Sequence, residues 1–298
     1  MFDQARKRIT KAAERVGAWA EERDPGSPSG VAIGAWRRYR AVDGPLQSAL
    51  LSLYILVAVI PALLVIEAYF DSHPSALAHR LARHYDLSTQ TASLLTSVLA
   101  QDRRHELGAA LLAILGALVF GLGFGRVLQL VHARAWQVEL RTRATDQGLY
   151  ALILLGVYGF VLVFLVQLTE LQGSPFWVRP VLGLGWIGLL VLFFTWAPSL
   201  LLHGEITRRD LIPGAVLTAV GLVVVMIVSS FVMELWINLY ASDYGGFGVV
   251  LAIYFWLAFS SAVIVWAASL SPPLSERRAL KQGAPGARSA DVRLWWQL

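Results

Sequence analysis

Not one of the 298 residues is cysteine. That excludes disulfide staples, thiolate-bound zinc and iron–sulfur centres together. Charge is also thin, with 15% of residues Asp, Glu, Lys or Arg, where ordinary globular domains carry about 25%. The sequence contains no phosphate-binding glycine loop, no nucleophile elbow and no metal-hydrolase motif. Four of the six histidines (His73, His79, His84, His105) crowd between residues 71 and 106, without a carboxylate at metal-ligand spacing on one helical face. No enzyme, cofactor or metal centre is therefore expected.

What the chain has in quantity is apolar sequence, 56% of it by residue. Six runs stand out, at about 46–70, 107–131, 149–171, 179–202, 211–236 and 245–270. A bilayer core about 30 Å thick takes roughly 20 apolar residues as a helix. The predicted fold is all-α, a polytopic membrane protein with six transmembrane helices and short amphipathic interfacial helices. Residues 1–45 read as a basic cytoplasmic segment and linker, 46–270 as the membrane domain with an outer insertion at 71–106, and 271–298 as a disordered cytoplasmic tail. The loops leave no room for a soluble nuclease domain.

Orientation follows from where the cations lie. Lys and Arg number nine up to Pro45, four in 126–148, two in 203–210 and five after Leu270. The alternate loops hold Arg80, Arg83, Arg103, Arg104 and Arg179. Twenty against five, over an even number of spans, predicts both termini in the cytoplasm. The net charge of +5 is thus spent on the membrane surface, and no nucleic acid is expected. A cleavable leader is not expected, because the first apolar run is long and late.

Residues 1–23 space Phe2, Ile9, Val16 and Trp19 at helical intervals among Arg6, Lys7, Arg8, Lys11 and Arg15. This is either a helix lying on anionic inner-leaflet lipid or a solvated tail. A flexible break is expected at Asp24–Gly30, then an interfacial anchor at Trp36-Arg37-Arg38-Tyr39-Arg40. In 71–106, Leu77, Leu81, His84 and Tyr85 share one helical face, and Leu87, Leu94, Leu95, Val98 and Leu99 form a second behind Ser88. Two amphipathic helices are predicted there, on the outer ends of the spans or in the outer leaflet.

Several motifs resemble those of the YihY/BrkB family of bacterial inner-membrane proteins. They are Tyr54–Pro61 in the first span, Leu128-Gln129 through Arg134-Ala135-Trp136 leaving the second, Leu211-Ile212-Pro213-Gly214-Ala215 opening the fifth, and Tyr244–Gly248 with Tyr254–Leu257 in the sixth. The resemblance covers roughly residues 45–270 and implies a six-helix membrane fold. An older ribonuclease label attached to some members finds no nuclease motif here. Two departures stand out: the family's Leu-Asn pair is His132-Ala133, and its last span ends here in Trp266-Ala267-Ala268-Ser269 without the usual glutamate.

Candidate polar-pathway residues are Glu67, Arg126, Gln129, Gln167, Glu170 and Glu234. Arg126 is the one cation inside an apolar run; it either snorkels to the inner headgroups or meets a buried partner. Glu67, Glu170 and Glu234 fall in the outer turns of outward-running helices, either ringing a common vestibule or standing as separate surface acids. Pro61 and Pro198 each remove a helical hydrogen bond, as ordinary kinks or as the interruptions of a transporter. Gly121 and Gly125 suit close helix packing, with Gly183, Gly185 and Gly188 as a matching face. Two functions remain open: handling or translocation of a lipid or amphiphile, or a non-transporting scaffold or envelope assembly factor. Expected partners are membrane lipids, with a second copy or an envelope protein as further possibilities.

Overall fold

The computed structural model describes residues 27–70, 83, 89, 92–93, 122–140, 146–150, 152–153, 156 and 178–281. Among them there is no strand. The helices are α1 (Pro28–Ala41), α2 (Gly44–Phe70), α3 (122–136), α4 (146–150, with 152, 153 and 156 also helical), α5 (Val178–Leu201), α6 (Arg208–Tyr244) and α7 (Gly246–Lys281). Among the described residues three stretches are long and apolar enough to cross a membrane: Gly183–Leu201, Arg208–Tyr244 and Phe247–Lys281. The first predicted span coincides with α2, which is 27 residues long. Most of the second and third spans, the insertion at 71–106 and the segment 1–23 lie outside the described residues.

Two expectations about the flanks need correction. The predicted break at Asp24–Gly30 is partly a helix start. Ser27 sits in extended backbone, its Oγ accepts the Gly30 N–H at 3.0 Å, and Pro28 opens α1. The residue types that punctuate loops also begin helices, since Ser accepts an orphan N–H and Pro has none to waste. The predicted disorder from Ser271 likewise fails over 271–281, where α7 runs on through Pro272 and Pro273 to Lys281. Those prolines leave the carbonyls of Ala268 and Ser269 without helical donors. The helix survives because the surrounding chain grips it. Ser275 Oγ donates to Asp210 Oδ1 at 2.8 Å, Ser271 Oγ to the Asp210 carbonyl at 3.3 Å, and Arg38 pairs with Glu276 at 2.7 Å. The ion pair is open to solvent on the Glu276 side, so packing carries most of the hold.

Helix α6 shows what solvent the molecule is built for. Its buried positions include Gly214, Ala215, Thr218, Ala219 and Ser229. Its exposed stripe runs Val216, Val220, Val224, Ile227, Phe231, Leu235 and Leu239, with Phe231 79% and Leu235 68% exposed. Small residues inside and large apolar ones outside is the reverse of a water-soluble helix. It is the pattern of helices that pack closely in lipid, where hydrocarbon covers the outer face at no hydrophobic cost. The close packing is real: a Cβ on Gly214 would lie 2.5 Å from Ser271 Cβ, and one on Gly221 2.4 Å from Val263 Cγ1. At the α6–α7 turn Gly245 has φ +60°, and a Cβ on Gly248 would lie 1.8 Å from the Tyr240 carbonyl oxygen. Only glycine permits that reversal.

The main core joins Leu51 of α2, Leu128 and Val131 of α3, Ile153 of α4, Leu201 of α5 and Val265 of α7, all essentially without exposure. Beside it, cross-chain contacts collect helix ends at one pole. Arg134 pairs with Asp43 at 3.2 Å, tying the end of α3 to the start of α2. His203 meets Asp146 at 2.9 Å, joining the turn after α5 to the start of the described part of α4. Asp210 and Ser271 do the same for α6 and α7. The helices therefore alternate in direction, and Arg37, Arg40, Arg208, Arg209, Arg278 and Lys281 all belong to this one pole.

Candidate functional site

A cluster of buried polar residues lies where α3, α4 and α5 meet at the basic pole. The arrangement begins with Pro198, a wholly buried proline one turn before α5 ends. Beyond it the chain coils tightly, with His203 at φ +52° and Gly204 at φ +75°. A helix ends with four carbonyls lacking helical donors. Here Leu202 N–H donates to Pro198 O, Gly204 N–H to Ser199 O and His203 N–H to Leu200 O, at 2.9 to 3.0 Å. The fourth carbonyl, that of Leu201, is left to a side chain. Gln129 Nε2 of α3 donates to it at 2.9 Å.

Gln129 is 2% exposed, so both ends of its amide need partners. The other end is met by Tyr150 of α4, whose hydroxyl donates to Gln129 Oε1 at 2.5 Å. One glutamine thereby binds three helices. Tyr150 reaches it because Gly125 leaves room: a Cβ there would lie 2.6 Å from Tyr150 Cβ. Gly123 does the same for Tyr54 of α2, at 2.2 Å from the ring. One turn along α3, His132 is buried, and its Nδ1–H donates to the Leu128 carbonyl at 2.9 Å. Loss of solvation pushes its pKa down to about 4, so the ring is neutral at physiological pH. Asp146, 3% exposed, holds His203 Nε2 on the solvent side of the same junction.

Arg126 is exposed on α3, one residue from Gly125 and within electrostatic reach of Tyr150. Of the other pathway candidates, Glu234 is exposed on α6 next to Leu235. It stands 26 positions from Arg208, about 39 Å along the helix, so Gln129 and Glu234 lie toward opposite ends of the molecule. The side chains of Glu67, Gln167, Glu170 and Pro61, and Gly121, lie outside the described residues. The matching glycine face on α5 needs correction. Gly183, Gly185 and Gly188 are exposed, and no described atom comes within 4 Å of a Cβ built on any of them. The residues that receive α3's glycines are the aromatic rings of Tyr54 and Tyr150.

Sequence reasoning singled out Gln129 and Gly125 and missed Tyr150, Asp146 and His203. Those three read as span start, loop and loop start, and nothing local marks their convergence. Among the described residues no group of three His, Asp or Glu could hold a metal.

An outward stripe of large aliphatics, an interior seam of Gly, Ala and Ser, and a pole rich in cations define a helical membrane protein. A family model described as virulence factor BrkB matches residues 35–291. The chain belongs to that family. The match includes the last part of α1 and the 271–281 extension of α7, segments that the apolar runs alone leave out. No curated protein matches the chain, and no solved structure does.

Proposed function

We propose that the chain is a six-span protein of the inner membrane, with both termini in the cytoplasm, that handles or translocates a lipid or amphiphile. Six spans rest on the apolar runs together with the alternation of helix direction at one pole. The cytoplasmic side is assigned to that pole by its cations. Membrane lipids are the partners in this reading; no nucleic acid, cofactor or hydrolytic step is involved.

The observation that carries the lipid reading is the exposed Arg126, set inside an apolar run, three positions from Gln129 and within electrostatic reach of Tyr150 at the buried junction. A guanidinium so placed is costly against hydrocarbon unless it meets water, an anion or headgroups. Its planar fork suits a phosphate. The Gln129 junction holds α3, α4 and α5 in register, so the helix that carries the cation is fixed in place. The test is transbilayer movement of fluorescent phospholipid analogues by the purified protein in liposomes. Movement should be present in the wild type and reduced about tenfold or more in Arg126→Gln, with helix content unchanged. A folded wild type that moves no lipid would end the reading and leave the scaffold alternative.

A further inference from the structure

We infer that α1 is an amphipathic clip that binds the anionic headgroups of the bilayer surface while it holds the end of α7. The α1 helix buries Val31, Ala35 and Tyr39, one position per turn. Gly34 faces Pro273, to whose Cβ a built Cβ would come within 3.6 Å. The opposite face exposes Ala32, Trp36, Arg37 and Arg40, again on one side of the helix. Three rings fix the depth at which this face sits. Tyr39 stacks on Trp266 with centroids 4.4 Å apart, and Trp36 lies 5.8 Å from Trp266. Trp266 is in the last turns of the apolar run, the level at which aromatic side chains meet headgroups. Trp36 remains half exposed there.

Charge identifies the partner. On α1 and the α7 extension 271–281, Arg37, Arg38, Arg40, Arg277, Arg278 and Lys281 face a single acid, Glu276. That acid is already engaged by Arg38. The Nε groups of Arg38 and Arg277 are buried without a hydrogen-bond acceptor. A cationic helix face with an aromatic at its edge, lying at headgroup depth, fits an anionic lipid surface. Because α1 grips α7 by its other face, lipid charge would decide how firmly the two ends of the membrane domain are held together. The inference rests on this pole meeting the bilayer surface and is independent of which compartment it faces.

The chain has no cysteine, so Ala32→Cys gives a single site for an environment-sensitive fluorophore on the full-length protein. In vesicles of phosphatidylcholine with added phosphatidylglycerol, its emission should shift to the blue relative to phosphatidylcholine alone. Replacing Arg37, Arg40 and Arg278 by Gln should weaken that dependence about fivefold per cation. Emission that is the same in both vesicles overturns the inference. So does an equal shift from inorganic phosphate added to neutral vesicles, which would assign the site to a free anion. Neither readout depends on lipid movement or on orientation, so the inference and the proposed function can fail separately.

Discussion

Gly125 and Gly183 are the same residue in two spans, and they predict opposite outcomes. Gly125→Ala puts a methyl 2.6 Å from Tyr150 Cβ, and such overpacking costs about 1 to 3 kcal/mol. Gly183 is exposed, and Gly183→Ala should raise thermal stability slightly, since Ala favours helix over Gly by about 1 kcal/mol. Melting temperatures of the two variants in one detergent check the contrast. A Gly125→Ala protein as stable as wild type would remove the Tyr150 contact as a packing constraint. His132 predicts a pH effect. Its folded pKa of about 4 lies below the ordinary 6.5, so the unfolded chain binds the extra proton first. Its contribution is fully present above pH 6.5 and is lost as pH falls toward 4. His132→Gln should show a smaller acid destabilisation than wild type across that window. Equal acid sensitivity in both proteins would mean that His132 is not the group responsible.

At the scale of elements, α1 and α7 are the informative pair, because their ends lie outside the apolar runs. Ser27→Ala removes the side-chain cap of α1, at about 1 kcal/mol. Since α1 packs on α7, the loss should also loosen the 271–281 extension. Hydrogen exchange is the measurement: faster exchange is expected at both ends, and a change confined to residues 28–31 would show that the two are not coupled. The sequence carried part of this. Ser27-Pro28 is a legible helix start and was outweighed by the turn-forming residues around it. Nothing in Ser271-Pro272-Pro273 announces a helix, since its support comes from Asp210 and Arg38, 61 and 238 positions away.

For the whole molecule, the proposed orientation predicts accessibility. A cysteine at Thr89 should react with an impermeant thiol reagent in intact spheroplasts, and one at Lys281 should not. The reverse pattern would invert the topology drawn from the cation bias. The apolar character of α2, α5, α6 and α7, the cationic pole and, from motifs over roughly residues 45–270, the family were legible in the sequence, because lipid constrains sequence directly. Any segment that crosses hydrocarbon must be long, apolar and helical whatever its neighbours do. The site was legible only at Gln129 and Gly125. What joins Gln129 to Leu201 and Tyr150, or His203 to Asp146, is a set of contacts between residues 21 to 72 positions apart. A polar side chain's partner depends on which helix faces which, and hydropathy is blind to that. The inward and outward faces were decided the same way. Every side of a membrane helix is apolar, so only packing reveals that α6 turns Gly214, Ala215 and Ala219 inward and Phe231, Leu235 and Leu239 outward.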